Sequence, residues 1–325
     1  MVGWRRNRKF AAMKQITGRP QMRNDWELER VFREGGPFFH LHTKPLENGV
    51  IFVNDTERAI ALVYVAIAAR NLGVDILAYA LMSNHFHFIL RGSEVQCRAF
   101  FDLVRTRLSL YFSRHGRPGV LRAVGTPDPT PITTLKQLQD EIAYVIRNPY
   151  VVRVDINPFA YFWCSGFLYF NPLLDLIPTR PASRLTVREK RRLLHSCDVD
   201  VPDDLTWVDG CVFPGSFVNY KLVESMFRNA RQFTFAVLRN VEGHVETARR
   251  LGEKPSLSDD EMLSLSLRLC KDEFGVKGPS LLSEGQRFEL AKRLKYDYSA
   301  SNGQIARFTT LPLPTVNALY PLSTK

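Results

Sequence analysis

The sequence predicts an α+β protein: a ferredoxin-like antiparallel sheet with helices on one face, followed by an all-α C-terminal region with helix-turn-helix spacing. Three observations predict it. Between residues 37 and 148 the periodicity alternates between strand and helix in the order strand, helix, strand, strand, helix, strand, helix. The stretch Met82-Ser83-Asn84-His85-Phe86-His87-Phe88-Ile89-Leu90 is a strand with polar and apolar faces. The last seventy residues carry three capping boxes, each opening an apolar-periodic run.

Pro37 to Thr43 (PFFHLHT) is the first strand. Asn54-Asp55-Thr56-Glu57 opens a helix, with Asn54 or Thr56 as its cap, and the helix runs through Ala59 to Asn71 and stops at Gly73. Val74 to Leu81 is the second strand, Ser83-Asn84 the turn, and His85 to Leu90 the third strand. A second helix spans Glu94 to Arg114, closed by Gly116 and Pro118. Pro127, Pro129 and Pro131 lead into a short strand near Ile132, and a third helix runs from Leu135 to Asn148, where Pro149 is expected to end it. Residues 150–180 are rich in aromatics and proline and are expected to wrap and close this domain.

Domain boundaries follow: a basic arm over 1–36, the sheet domain over 37–170, a helical linker of unread role over 171–255, and a helical domain over 256–325. In the last, Ser258 pairs with Glu261, Ser283 with Gln286 and Ser301 with Gln304. Gln304–Phe308, a turn at Thr309–Pro312 and a helix over Pro314–Tyr320 have helix-turn-helix spacing, with Thr315 and Asn317 as groove-facing candidates and Arg307 and Lys295 suited to phosphate. A plain three-helix bundle is the alternative.

The 325 residues include 44 basic and 33 acidic ones, a formal charge of +11, which favours a polyanionic partner such as nucleic acid. The first 23 residues hold seven basic side chains, Arg5, Arg6, Arg8 and Lys9 among them, and no acidic one. Five scattered cysteines without C-x-x-C spacing fit a reducing cytoplasm rather than a disulfide framework. The N-terminus lacks the apolar core of a signal peptide, and the longest apolar run, about Ala59 to Ala69, is too short to cross a bilayer, so no membrane partner is expected.

His85 and His87 project from the same face of their strand, and two imidazoles so placed can hold one divalent metal ion. Tyr144 and Asn148 lie four residues apart on a helix and share a face. The tyrosine is a candidate nucleophile and the Asn148 amide oxygen a candidate third ligand; a tyrosine packed in the core through a hydrogen-bonded hydroxyl is the structural alternative.

Met82-Ser83-Asn84-His85-Phe86-His87 resembles the HUH motif, and Tyr144-x-x-x-Asn148-Pro149 resembles the tyrosine motif of single-tyrosine HUH transposases, in particular the REP-associated tyrosine transposases. The resemblance covers residues 37–170, with about sixty residues between the motifs. Ile146 stands where many relatives have histidine, and Val151-Val152 replaces the usual Arg-Ala after Asn-Pro. The resemblance implies a metal-dependent endonuclease and strand transferase. Tyr144 would form a 5′-phosphotyrosine, His85, His87 and Asn148 would hold Mg²⁺ or Mn²⁺, and the substrate would be a single-stranded DNA hairpin. The C-terminal helices would contact duplex DNA, and the protein would act as monomer or homodimer in the cytoplasm, associated with the nucleoid. Arg105, Arg107, Arg114, Arg147 and the basic arm are further candidate DNA contacts. His40 and His42 form a second H-x-H on the first strand, beside the third, as residues behind the ligands, DNA contacts or structural histidines. Alternatives are an inactive DNA-binding regulator, an HUH replication initiator or relaxase, and a zinc hydrolase with Tyr144 structural.

Overall fold

The computed structural model describes residues 23–321 apart from 47–48, 123, 153–156, 198 and 256. The basic residues Arg5, Arg6, Arg8 and Lys9 lie outside the described residues. The first element among the described residues is a helix, α1 (Asp25–Gly35), within the stretch expected to be an arm. Asn24 and Glu27 form a reciprocal capping box there. Leu28 is buried in the core and Arg23 bonds the carbonyls of Glu224 and Phe227.

The central sheet is built from β1 (Phe38–His42), β2 (Asp75–Leu81), β3 (Phe86–Arg91) and β4 (Thr130–Ile132). The strand order is β2-β3-β1-β4, and every neighbouring pair is antiparallel. Between strands run α2 (Asp55–Leu72) and α3 (Glu94–Arg114), and α4 (Leu135–Val152) follows β4. The chain is thus mixed α+β, a small antiparallel sheet among many helices. Asn54 caps α2 by accepting from the Glu57 amide, and Gly73, at φ 62°, supplies the left-handed turn that ends it. Ser93 and Gln96 cap α3 reciprocally.

Helices cover both faces of the sheet, not one. Phe39, Leu41, Tyr79, Leu81, Phe86 and Phe88 point towards α2 and α3. On the other face α4 lays Leu138, Ile142, Val145 and Ile146 on Leu77, Ala78, Ala80 and Ile89. The small alanines let the helix approach closely. A register shift between Ile76 and Ala78 turns the consecutive Leu77 and Ala78 towards the same core. Nor does Pro149 end α4, which continues to Val152 with the proline inside. Proline has no N–H to offer the Val145 carbonyl, but packing along the apolar stripe holds the helix past that loss.

The stretch expected as a helical linker contains strands as well as helices. β5 (Arg180–Pro181), β6 (Thr206–Val208) and β7 (Cys211–Val212) form a small antiparallel sheet, with α5 (Val187–Leu194) between the first two. Leu194, Trp207 and Val212 extend the core beyond α2, which explains why Ile60 to Ala69 is buried without interruption. Residues 161–169 close the β2 edge: Leu81 N–H donates to Trp163 O, and the Tyr169 hydroxyl donates to Leu77 O.

α6 (Tyr220–Ser225), α7 (Ala230–Arg239) and α8 (Val241–Arg250) follow. Val223, Phe233 and Val237 join the core under α4. The C-terminal helices are α9 (Asp259–Phe274), α10 (Glu284–Tyr298), α11 (Asn302–Thr309) and α12 (Leu313–Leu319). Ser258–Glu261, Ser283–Gln286 and Ser301–Gln304 all form the expected capping boxes. This bundle has its own core of Met262, Leu265, Leu290, Leu294, Ile305 and Val316, shared with Val245 of α8. Among the described residues no helix is long and apolar enough to cross a membrane.

Candidate active site

β3 turns Phe86 and Phe88 into one core, so His87 faces α4 on the other side. His85 precedes the strand and is buried beside it, with 4.8 Å between the His85 and His87 ring centroids. α4 brings Tyr144 to the same place: its ring centroid is 5.8 Å from that of His87, at 79°. Asn148, one turn further on, stands beside both His85 and Tyr144, and its Nδ2 is buried without a partner. The four residues expected to act together are therefore together.

β1 adds the second histidine pair. His42 stacks on His87 with centroids 5.8 Å apart, and it lies opposite His87 in the sheet register. His40 is fully buried between Glu141 and His87: His40 Nδ1 is 2.9 Å from Glu141 Oε2, and His40 Nε2 is 3.2 Å from His87 Nδ1. Glu141 also accepts from Gln137 and from Arg250, at the end of α8. His40 was expected among the DNA contacts; the fold encloses it instead, with no exposed surface.

The segment after α8 completes the cleft. Leu251 O accepts from His42 Nε2 at 3.2 Å, and the Glu253 carboxylate accepts a hydrogen bond from the Tyr144 hydroxyl. Glu253 Oε1 lies 3.7 Å from His87 Nε2 and 3.8 Å from His42 Nε2. The resulting cavity, about 520 Å³, is lined by His42, His85, Tyr144, Asn148, His244 and Glu253 among others. Lys44 and Lys254 bring positive charge to it.

Burial sets the electrostatics. It pushes His40 and His87 well below the usual histidine range and His85 down to about 4, so all three imidazoles are neutral at pH 7, the form that binds metal. Burial pushes the Glu253 carboxyl up to about 7, against the opposing pull of the Tyr144 hydrogen bond. Burial and then the Glu253 charge hold Tyr144 well above its ordinary value. Among the described residues no group of three His, Cys, Asp or Glu side chains forms a metal-holding cluster. The expected ligand set contains only two residues of those types.

Among the other described contact candidates Arg147 lines the cleft, paired rather than free, and the rest do not line it. Arg147 is 2 % exposed, and it pairs with Glu261 at the start of α9. Its position on α4, one turn from Tyr144, turns it under the C-terminal helices, so it is a structural arginine as well as a candidate contact. Arg105 bonds Asp102 and Gly125 O, and Arg107 lies over the Tyr64 ring, both on α3. Arg307 pairs with Asp259, Lys295 bonds Asn302 Oδ1, and Asn317 accepts from Asn302. Thr315 is half-buried and Asn317 exposed on α12.

Glu141, Arg250 and Glu253 were not legible as site residues. Glu141 left one signal, its place three residues before Tyr144 on the same helix. Glu253 left none: it sits in a Gly-Glu-Lys-Pro loop more than a hundred residues from the tyrosine. Comparison with models of protein families, with curated proteins and with solved structures finds no match to this chain.

Proposed function

We propose that this protein is a metal-dependent single-stranded DNA endonuclease and strand transferase of the single-tyrosine HUH kind, akin to the REP-associated tyrosine transposases. One observation carries the reading: Tyr144 of α4 packs against His87 of β3, with Asn148 beside His85. The strand order β2-β3-β1-β4, antiparallel throughout, agrees with a ferredoxin-like sheet.

The side chains fit a divalent cation. His85 Nδ1 lies 2.8 Å from Asn84 Oδ1 and donates to it, which leaves Nε2 its lone pair. His87 Nε2 is buried without a partner. His85, His87 and Asn148 would hold Mg²⁺ or Mn²⁺, which when bound polarises the scissile phosphate and offsets charge on its oxygens.

Tyr144 attacks the phosphorus. The Tyr144 oxygen–phosphorus bond forms as the bond to the 3′-oxygen breaks, and the tyrosine proton passes to Glu253, which already accepts its hydrogen bond. The products are a 5′-phosphotyrosine and a 3′-oxygen that takes a proton from water. Because the phosphodiester energy is kept in the covalent bond, a 3′-hydroxyl can reverse the step, so cutting and rejoining need no ATP. A net charge of +11 suits a polyanionic substrate, for which we propose single-stranded DNA hairpins. The pair α11–α12, joined through Thr310–Pro312, is proposed as a helix-turn-helix for duplex DNA, in a cytoplasmic, nucleoid-associated protein.

The engagement of Tyr144 by Glu253 favours one second reading, a DNA-binding regulator that no longer cuts. Trapping separates the two. Labelled single-stranded DNA from the flanks of the gene is incubated with protein and Mn²⁺ and run on denaturing gels beside Tyr144→Phe. A metal-dependent adduct absent from the variant supports the nuclease. Shifted mobility on native gels without any adduct supports the regulator.

A further inference from the structure

We propose that α5 and the outer face of α3 form a second nucleic-acid surface, which grips the phosphate backbone of duplex DNA on the side of the sheet away from Tyr144. The inference deepens the reading of this chain as a DNA-processing protein and rests on it.

α5 is tied down by its apolar side. Leu194 is fully buried in the core, and its carbonyl accepts a hydrogen bond from the Tyr64 hydroxyl of α2, at 2.9 Å. His195, just past the helix end, meets the rings of Tyr111 and His115 at the end of α3, with centroids 5.7 and 5.8 Å away. Helical spacing then puts Arg188, Arg191 and Arg192 on one outward face, and all three are exposed. Among the described residues none gives them a hydrogen bond or an ion pair. Glu189, the carboxylate of this helix, is engaged by Arg180 and by the cap at Thr186. The helix dipole favours cations at Arg191 and Arg192 in the last turn. It disfavours Arg188 in the first turn, and Arg188 and Arg192, four residues apart, repel each other. The stability of α5 therefore does not account for this face, whereas a polyanion lying on it does.

α3 continues the surface. Its inner side, with Phe100, Phe101, Val104 and Leu108, packs in the same core. Its outer side, together with Pro118, Gly119 and Arg122, forms a groove of about 400 Å³. The groove offers the hydroxyls of Thr106, Ser109 and Ser113 and the guanidinium groups of Arg105 and Arg122. Arg105 is held by Asp102 and by Gly125 O. Arg122 is exposed, its guanidinium has no partner among the described residues, and its side chain lies over Gly119, where an added Cβ would stand 3.6 Å from Arg122 Cδ. From residue 105 to residue 113 the helix rises about 12 Å, the axial length of about three successive phosphates of one strand.

The chemistry selects a duplex. Arginines and hydroxyls are the side chains that contact phosphate. Single strands are gripped by stacking their bases on aromatic rings, and neither helix exposes a Phe, Tyr or Trp ring. An amphipathic helix on an anionic membrane buries its apolar side in the lipid. Here that side is in the protein core, and Val187 is the one large apolar residue that α5 exposes. Tyr144 stands on the opposite face of the sheet, against His87, so a duplex held here leaves the cleft to a single strand.

A DNA duplex of arbitrary sequence and about two helical turns, roughly 20 base pairs, is the probe. Its binding to the full chain is followed by fluorescence anisotropy over a range of NaCl concentrations, without divalent metal. In the triple variant Arg188→Gln, Arg191→Gln, Arg192→Gln binding should weaken about 10²-fold at about 0.1 M salt, and the slope of log K on log salt should fall by about 3. Arg122→Gln should weaken it about ten-fold. Circular dichroism melts of both variants should match the parent. Equal affinity and slope in the folded triple variant overturn the proposal, as does a parent that leaves the duplex unbound. An equal loss of affinity for a single strand of the same length overturns the duplex assignment. Binding to vesicles of phosphatidylserine and phosphatidylcholine but not to the duplex assigns the face to a membrane and overturns the proposal. Phenylglyoxal modification of the parent, read by peptide mass, tests the surface without any variant. The duplex should protect Arg122, Arg188, Arg191 and Arg192, and equal modification with and without it overturns the surface. The two readings fail separately. A duplex bound through these arginines, with no covalent adduct at Tyr144, removes the nuclease and keeps the surface. An adduct formed by a parent that leaves the duplex unbound removes the surface and keeps the nuclease.

Discussion

The Tyr144 hydroxyl donates a hydrogen bond to Glu253, tying the middle of α4 to the loop after α8. Burial and the Glu253 charge hold the phenol well above its ordinary range, so at neutral pH it is a protonated, weak nucleophile. It needs a proton acceptor, and Glu253 is already bonded to it.

Glu253→Gln should therefore slow adduct formation at saturating Mn²⁺ by about 10²–10⁴-fold, the range expected for a proton acceptor in direct contact. Binding of the DNA strand should be unchanged. Quenched time courses on denaturing gels, with native-gel titrations beside them, measure both.

Acid should destabilise the metal-free protein. Burial holds His40, His87 and His244 well below 6.5 and His85 at about 4. Between pH 6.5 and 4 the unfolded chain therefore takes up protons that the folded chain refuses. Stability is greatest above that window and falls as pH drops through it, by about 1.4 kcal/mol per pH unit for each uncompensated histidine. Glu253 acts in the opposite sense: with its folded value near 7, the folded chain keeps a proton that the unfolded carboxylate has lost, offsetting one histidine of the four. Urea midpoints should fall from pH 7 to pH 5, and His244→Gln should make the fall shallower.

Glu261 holds two things at once. It pairs with buried Arg147 and completes the capping box of α9 through Ser258. Glu261→Ala strands the Arg147 charge, whose Nε and second terminal nitrogen already lack partners. The expected loss is about 3–5 kcal/mol, against about 1 kcal/mol for Ser258→Ala, which removes only part of the cap. Denaturant melts of the two variants test the difference.

Gly166 lies close against Ile146 of α4 and the backbone of Pro158. A Cβ there would lie 2.7 Å from Pro158 O and 2.9 Å from Ile146 Cγ2. Gly166→Ala should destabilise by about 1–3 kcal/mol. Because Ile146 is two residues from Tyr144 on α4, the same variant should lower the yield of covalent adduct. Thermal melts and trapping gels check the two effects.

Much of this was readable along the chain because the rules involved are local. Alternation put His87 opposite Phe86 and Phe88, and helical spacing put Tyr144 and Asn148 on one face. Asn54 and the three C-terminal serines were legible as caps because a cap is a bond across three residues. Where the reading failed, packing had overruled local preference. Pro149 ended α4 on paper, but the stripe from Leu138 to Ile146 is held against β2 and β3 and carries the helix past it.

Residue order alone was thus enough for the four strands of the central sheet, the caps at Asn54 and the three C-terminal serines, and the pairing of a histidine strand with a tyrosine helix. Folding in three dimensions decided which face of the sheet α4 covers, that His40 would be sealed between Glu141 and His87, and that Glu253 would meet Tyr144. The physical reason is distance along the chain. A contact across 109 residues leaves no periodicity behind. It exists only because α8 docks on α4 and delivers its following loop to the cleft.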